Sequence, residues 1–283
     1  MLRLEPPDSH ENFYTRLVFV YPYLDSHSVS SDYVFWQFEE IKVRALLRTT
    51  NRGMSEWLDS QWDLATARAD DIFDPEVHDA GLIAEIFEDE VGVWPGDYFW
   101  QLSSAVVKDA CTLYETFLER LAHSVLQNVG ARLRNMETES SWRWEESKLF
   151  YQHYVGVDVV PPKVEAVMWI RNKLTHLRDE LRTDIGRQEL SAHVGTLSID
   201  HPATANEQAL GLVEDRPYMS RGVNLTQLQT WRILDVLADQ VGVVARAAFS
   251  PMFGGPLNTH LAALMAKTPL TIPKFPTAKL IAY

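Results

Sequence analysis

Apolar residues recur at intervals of three and four along most of the chain, and this spacing predicts helices rather than strands. The strongest run is Val106, Ala110, Leu113, Tyr114, Phe117, Leu121 and Val125, which starts near Leu102 and predicts a long amphipathic helix stopped by Gly130. A second helix is expected from Trp142 to about Tyr154, ended by Gly156. Pro161-Pro162 opens a third, whose apolar positions are Val164, Val167, Met168, Ile170 and Leu174. A closing helix carries Leu228, Leu234, Leu237, Ala238, Val241, Val244, Ala245 and Ala248 on one stripe. Asn224 and Gln227 resemble a capping box at its start, and the Pro251 to Pro256 stretch ends it.

The pattern is weaker elsewhere. Val34, Phe35, Phe38, Ile41, Leu46 and Leu47 approximate helical spacing, as do Trp57, Leu58, Trp62, Leu64 and Ala65, so the first hundred residues are expected to be mostly helices separated by polar turns. The acids between Asp70 and Asp79 break the pattern, a short segment from Leu82 to Phe87 follows, and Trp94-Pro95-Gly96 has the composition of a turn. Leu17 to Tyr21 is compatible with a strand. Between the third and closing helices, Ala192 to Ile199 and Ala209 to Val213 read as loop with one or two short strands. The chain therefore divides in sequence into residues 1–100, residues 101–250 and a tail, 251–283, that contains Pro269, Pro273, Pro276, Lys267, Lys274 and Lys279 but no acid.

Composition narrows the function classes. The chain has 283 residues, 46% of them hydrophobic and 23% charged, as expected of a globular protein. Its single cysteine, Cys111, excludes an intrachain disulfide and any cysteine-built metal site, and fits a reducing, cytoplasmic setting. No signal peptide and no membrane span is expected. The net charge of −13 lies wholly in residues 1–100, where 7 basic side chains face 20 acidic ones; the remainder holds 19 of each. An acidic front of this kind repels anions or meets a basic partner, while the neutral remainder is free to touch nucleic acid locally. The histidines His193, His201 and His260 lack metal-ligand spacing, and no phosphate loop or dinucleotide fingerprint occurs, so neither cofactor nor metal is expected. The tryptophans Trp142, Trp144 and Trp169 are candidate base-stacking faces, although helical spacing favours a core role for them.

The segment with chemical content is Arg171-Asn172-Lys173-Leu174-Thr175-His176. On a helix, five residues advance about 500°, or about 140° net, so Arg171 and His176 flank a face, whereas Asn172 and His176, four apart, stack. A guanidinium grips phosphate oxygens as a planar fork. An imidazole that titrates near neutrality removes a 2′-hydroxyl proton or protonates a leaving 5′-oxygen. Together these groups suit an RNA phosphodiester, whose own 2′-hydroxyl supplies the nucleophile.

The stretch from Trp169 to His176 resembles the signature of HEPN domains, in which an arginine, a polar residue and a few spacers precede a histidine. The predicted order of a long first helix, a motif helix and a closing amphipathic helix over residues 102 to 250 is similar to that family as well. The resemblance implies an all-α fold: a HEPN-like helical bundle with a short β or loop insertion before the last helix, preceded here by a mostly helical acidic region that it does not cover. It further implies a metal-independent endoribonuclease of a toxin–antitoxin or antiviral defence system, working as a homodimer with two motifs across one cleft. Its partners would be RNA and an antitoxin or regulatory protein. Arg171 and His176 become the catalytic pair, with Asn172 orienting them. Some members add an acid from the first helix, for which Glu115 is the candidate and Glu119 the alternative. In a subgroup a tyrosine stands two residues after the motif histidine; this chain has Arg178 there, so control through that tyrosine is not expected. The alternative is a non-catalytic HEPN-like adaptor that binds a partner, since family likeness does not establish activity.

Overall fold

A computed structural model describes residues 30–72, 80–92, 95–127, 131–133, 144–176, 181, 183–210, 222–248 and 280–282. Helices dominate them: α1 (Ser31–Ile72), α2 (Ala80–Val91), α3 (Pro95–Gln127), α4 (Trp144–Phe150), α5 (Pro162–His176), α6 (Asp184–Leu197), α7 (Ala205–Ala209) and α8 (Gln227–Ala248). A single π-helical turn, Tyr151–Val155, extends α4. Two three-residue strands, β1 (Ala131–Leu133) and β2 (Leu280–Ala282), pair antiparallel, Arg132 opposite Ile281. The all-α expectation holds. Among the described residues no helix is long and apolar enough to cross a membrane. Leu17 to Tyr21, Gly130 and the lysines of the tail lie outside the described residues.

Three local expectations are corrected. The separate helices expected between Asp32 and Ala65 are one 42-residue helix, α1. Its inner stripe runs Val43, Leu47, Asn51, Met54, Leu58, Gln61, Ala65 and Ala69 at unbroken intervals of three and four, with Asn51 itself buried. The polar residues that resemble a turn thus occupy helical positions, and Thr49 Oγ1 closes its own bond to the Ala45 carbonyl at 2.5 Å. Pro95, read as part of a turn, opens α3, a position where a missing N–H costs nothing. Ala192 to Ile199, read as a strand or loop insertion, is instead helical through Leu197. Thr183 caps that helix, accepting from the Gly186 N–H at 3.1 Å, and a left-handed Ser198 closes it. A strand there would have to pair with a sheet, and among the described residues only β1 and β2 pair.

The chain forms two compact units. The first holds the described residues of Met1–Trp36, Glu115–Val159 and Ala238–Tyr283. Its core contains Trp36, Phe117, Leu121, Phe150, Tyr151 and Val241, all buried, with the Trp36 and Phe117 rings edge-on at 6.4 Å. Burial of Tyr151 is tolerated because its hydroxyl donates to the Leu118 carbonyl at 2.6 Å. Asp32 is likewise buried and compensated, by Ser124 Oγ at 2.5 Å and Arg120 Nε at 3.4 Å. Gly156 ends the π turn at φ 75°, a conformation that favours glycine, and its N–H returns to the Tyr151 carbonyl.

The second unit holds Gln37–Tyr114 and Val160–Leu237. Residues of α1, α2 and α3 build one part of its core, where Leu58, Ala65 and Phe87 are flanked by Met54, Ile83, Ile86, Val91 and Phe99. Arg44, buried on α1, pairs with Glu40, reaches Asp235 at 2.8 Å and lies 4.4 Å over the Trp231 ring. Gln227 Nε2 donates to the Leu47 carbonyl at 3.2 Å. The capping box of α8 is formed by Thr226 and Gln229, which exchange bonds at 3.0 Å, rather than by Asn224 and Gln227. The Gln227 amide nitrogen is instead turned to α1.

Candidate functional site

The motif helix is α5. Its inward residues Val164, Ala166, Val167, Ile170 and Leu174 are almost wholly buried, and they fix the rotation of the helix about its axis. Asn172, Thr175 and His176 consequently face solvent. His176 is the last residue of the helix. Arg171 lies about 140° round the axis from His176, among the buried positions Val167 and Leu174, and its side chain is half-buried. Its Nη1 donates to Asn172 Oδ1 at 3.2 Å. The Thr175 hydroxyl bonds the Arg171 carbonyl at 2.8 Å, satisfying one acceptor of the final turn.

The structure brings two of the three groups into contact and places the third on the exposed face that one of them shares. Arg171 and Asn172 are bonded directly, and Asn172 and His176 share the exposed face one turn apart. The set comprises a half-buried cation, an amide bonded to it and an exposed imidazole. Glu115 and Glu119 are half-buried residues of α3 and belong to the first unit, while the motif helix belongs to the second.

The partners of Trp169 and Lys173 on the neighbouring helix escape notice in the sequence. Helix α6 packs on α5, with the His193 ring 4.6 Å from the Trp169 ring and Glu189 3.9 Å from Lys173 Nζ. The pairing of 169 with 193 and of 173 with 189 is that of two antiparallel helices. Lys173 Nζ also lies 4.7 Å from the centre of the Trp169 ring. His193, expected in a loop, is thus a helical residue against an indole. The signal that marks this helix in the sequence is Thr183-Asp184, a capping residue followed by an acid in the first turn. Its apolar stripe is too sparse to add to that, since Gly186 and Leu197 are its buried positions.

The other polar centre of this unit is Arg232. Its five N–H groups meet five acceptors: Glu207 Oε1 at 2.7 Å, Glu207 Oε2 at 2.9 Å, and the carbonyls of Ile199 at 2.7 Å, His201 at 2.6 Å and Pro202 at 3.1 Å. Glu207 closes a capping box with Thr204 at the start of α7. The Arg232 guanidinium, aided by Thr204, holds the Glu207 carboxyl down at about 2 despite its burial. With every donor engaged, this clasp joins segments and has no capacity left for a ligand. Among the described residues no group of three or more His, Cys, Asp and Glu side chains is placed to hold a metal ion. No family model, curated protein or solved structure matches the chain, so the likeness noted for Arg171, Asn172 and His176 rests on those residues and on the order of the helices around them.

Proposed function

We propose that the protein is a metal-independent endoribonuclease of the HEPN type, serving a toxin–antitoxin or antiviral defence system. The observation that carries this reading is the end of α5, where Arg171 is bonded to Asn172 and His176 is exposed on the same face as Asn172, one turn further on. In the reaction the RNA 2′-oxygen attacks the adjacent phosphorus, the P–O5′ bond breaks, and the product strand ends in a 2′,3′-cyclic phosphate. One proton leaves the 2′-hydroxyl and one is delivered to the 5′-oxygen; an exposed imidazole is suited to either transfer. Arg171 offsets the charge that develops on the phosphoryl oxygens, and Asn172 restrains its direction.

Each chain supplies one such arginine and one such histidine, so a second copy related by two-fold symmetry would complete the acid and base roles. A homodimer with α5 at its interface is the expected assembly. Light scattering of active protein at micromolar concentration checks this, and an active monomer contradicts it.

The deciding experiment is incubation of the purified protein with mixed RNA in EDTA, followed by analysis of the RNA ends. Wild type is expected to leave cyclic phosphates, and His176→Ala and Arg171→Ala to leave RNA intact. Undiminished cleavage by both variants overturns the assignment of the site. Intact RNA with wild type overturns the enzymatic reading in favour of the adaptor.

A further inference from the structure

The proposed cleavage leaves unused the cluster beside the motif formed by Trp169, Lys173, Glu189 and His193. On α5, Trp169, Lys173 and His176 succeed one another at intervals of four and three and so share one stripe, about 10.5 Å long from end to end. Lys173 sits in its middle, one turn from His176. Its ammonium lies 4.7 Å from the centre of the Trp169 ring, which is itself backed by His193 at 4.6 Å. The ammonium thus rests against an aromatic surface whose position is set by the packing of α6 on α5.

Its anion is held loosely. Glu189 Oε2 is 3.9 Å from Lys173 Nζ, well beyond the roughly 2.7–2.9 Å of a charge-assisted hydrogen bond. Both partners reach solvent, Lys173 at 26% and Glu189 at 48% exposure. A carboxylate and a phosphate compete for the same ammonium, and a solvated contact without a hydrogen bond is the weaker competitor. The ring contact does not depend on the anion, so it keeps the ammonium in place during an exchange.

We propose that Lys173 binds a backbone phosphate of single-stranded RNA next to the bond cut at His176, and that Glu189 is the built-in anion that this phosphate displaces. The proposal rests on the endoribonuclease reading and adds to it a positioning residue and a competitor. Glu189 thereby weakens RNA binding, a direction opposite to that expected if the pair only fastened α6 to α5.

The test uses the full chain and a fluorescein-labelled single-stranded RNA oligonucleotide, with binding measured across a salt series in a His176→Ala background. Lys173→Gln is expected to reduce the slope of log affinity against log salt by about 0.7, the value for one phosphate contact on a single strand. Lys173→Arg is expected to keep the slope. Glu189→Gln is expected to tighten binding at low salt by up to about fivefold, in keeping with the worth of an exposed ion pair, and to converge on the parent at high salt. In the active protein both changes should appear in KM far more than in kcat. Lowered melting temperatures in both Gln variants with an unchanged salt slope would overturn the proposal and leave the pair a helix fastener. Weaker binding by Glu189→Gln would overturn it as well. If wild type cuts RNA through Arg171 and His176 while these variants bind as the parent does, this proposal fails and the enzymatic reading stands. If wild type neither binds nor cuts RNA, both fail.

Discussion

Arg232 and Arg171 are both helical arginines of the second unit, and their surroundings differ in a way that separates architecture from chemistry. Arg232 is buried and spends five donors on Glu207 and three backbone carbonyls. Arg171 is half-buried, and its bond to Asn172 goes to a neutral, exposed amide of its own helix. Saturation of the first makes a rigid joint between α7, the segment from Ile199 to Pro202 and α8. A guanidinium carries a planar fork of donors suited to an incoming phosphate, the role proposed for Arg171.

If this contrast is right, a change at the end of α5 should affect activity without stability, and a change at the clasp should do the reverse. The largest effect is expected for His176→Ala, a loss of about 10²- to 10⁴-fold in the rate of RNA cleavage. Its unfolding free energy should stay within about 0.5 kcal/mol of wild type, because the side chain is exposed. Stopped or quenched RNA cleavage assays and urea denaturation measure the two quantities on one preparation.

Arg232→Met should cost about 3–5 kcal/mol of stability, since it leaves the Glu207 carboxylate and three carbonyls without their donor. The urea midpoint is the measure. A loss below about 1 kcal/mol would show that water replaces the guanidinium and that the clasp is not structural.

Acid sharpens the same point. The Glu207 carboxyl lies at about 2 in the folded protein against an ordinary value of 4.5, chiefly because of the Arg232 guanidinium. A depressed carboxylate stabilises the fold above its unfolded value and loses that contribution as pH falls through its folded value. The advantage of wild type over Glu207→Gln should therefore be constant above about pH 5, shrink between about pH 4.5 and 2, and amount at most to about 3 kcal/mol. Paired denaturation curves across that range check it; a difference independent of pH would mean that the carboxyl is not held down by Arg232.

The smallest effect concerns the start of α8. Thr226→Ala removes the oxygen that accepts from the Gln229 N–H and should cost about 1 kcal/mol. Asn224→Ala, which the sequence alone would nominate as the damaging change, should cost less. Equal losses in thermal melts would return the cap to Asn224.

The first of these pairs also shows what was legible in the sequence. Arg171, Asn172 and His176 are separated by at most five residues, and Pro161-Pro162 marks the start of their helix, so local geometry was enough to place Asn172 and His176 on one face. The helix stop at Gly156 was legible for the same reason, because a left-handed residue is a requirement of one position rather than of the fold. Periodicity failed where a polar residue occupied a core position, as Asn51 does within the unbroken stripe of α1, and where a helix had too few apolar residues to announce itself, as in α6.

What the sequence by itself determined about this protein is therefore local: the helical character of its chain, the glycine stop at Gly156, which depends on one pair of backbone angles, and the spacing of the motif. Tertiary structure alone decided which polar side chains were to be buried and by what they would be met. Nothing near Arg232 in sequence announces Glu207 and the carbonyls from Ile199 to Pro202, some 25 to 33 residues before it. Nothing near Trp169 announces the ring of His193. The physical reason is that a hydrophobic stripe is periodic along its own helix and can be read there, whereas the partner of a buried charge is selected by desolvation, which exists only once the segments have come together.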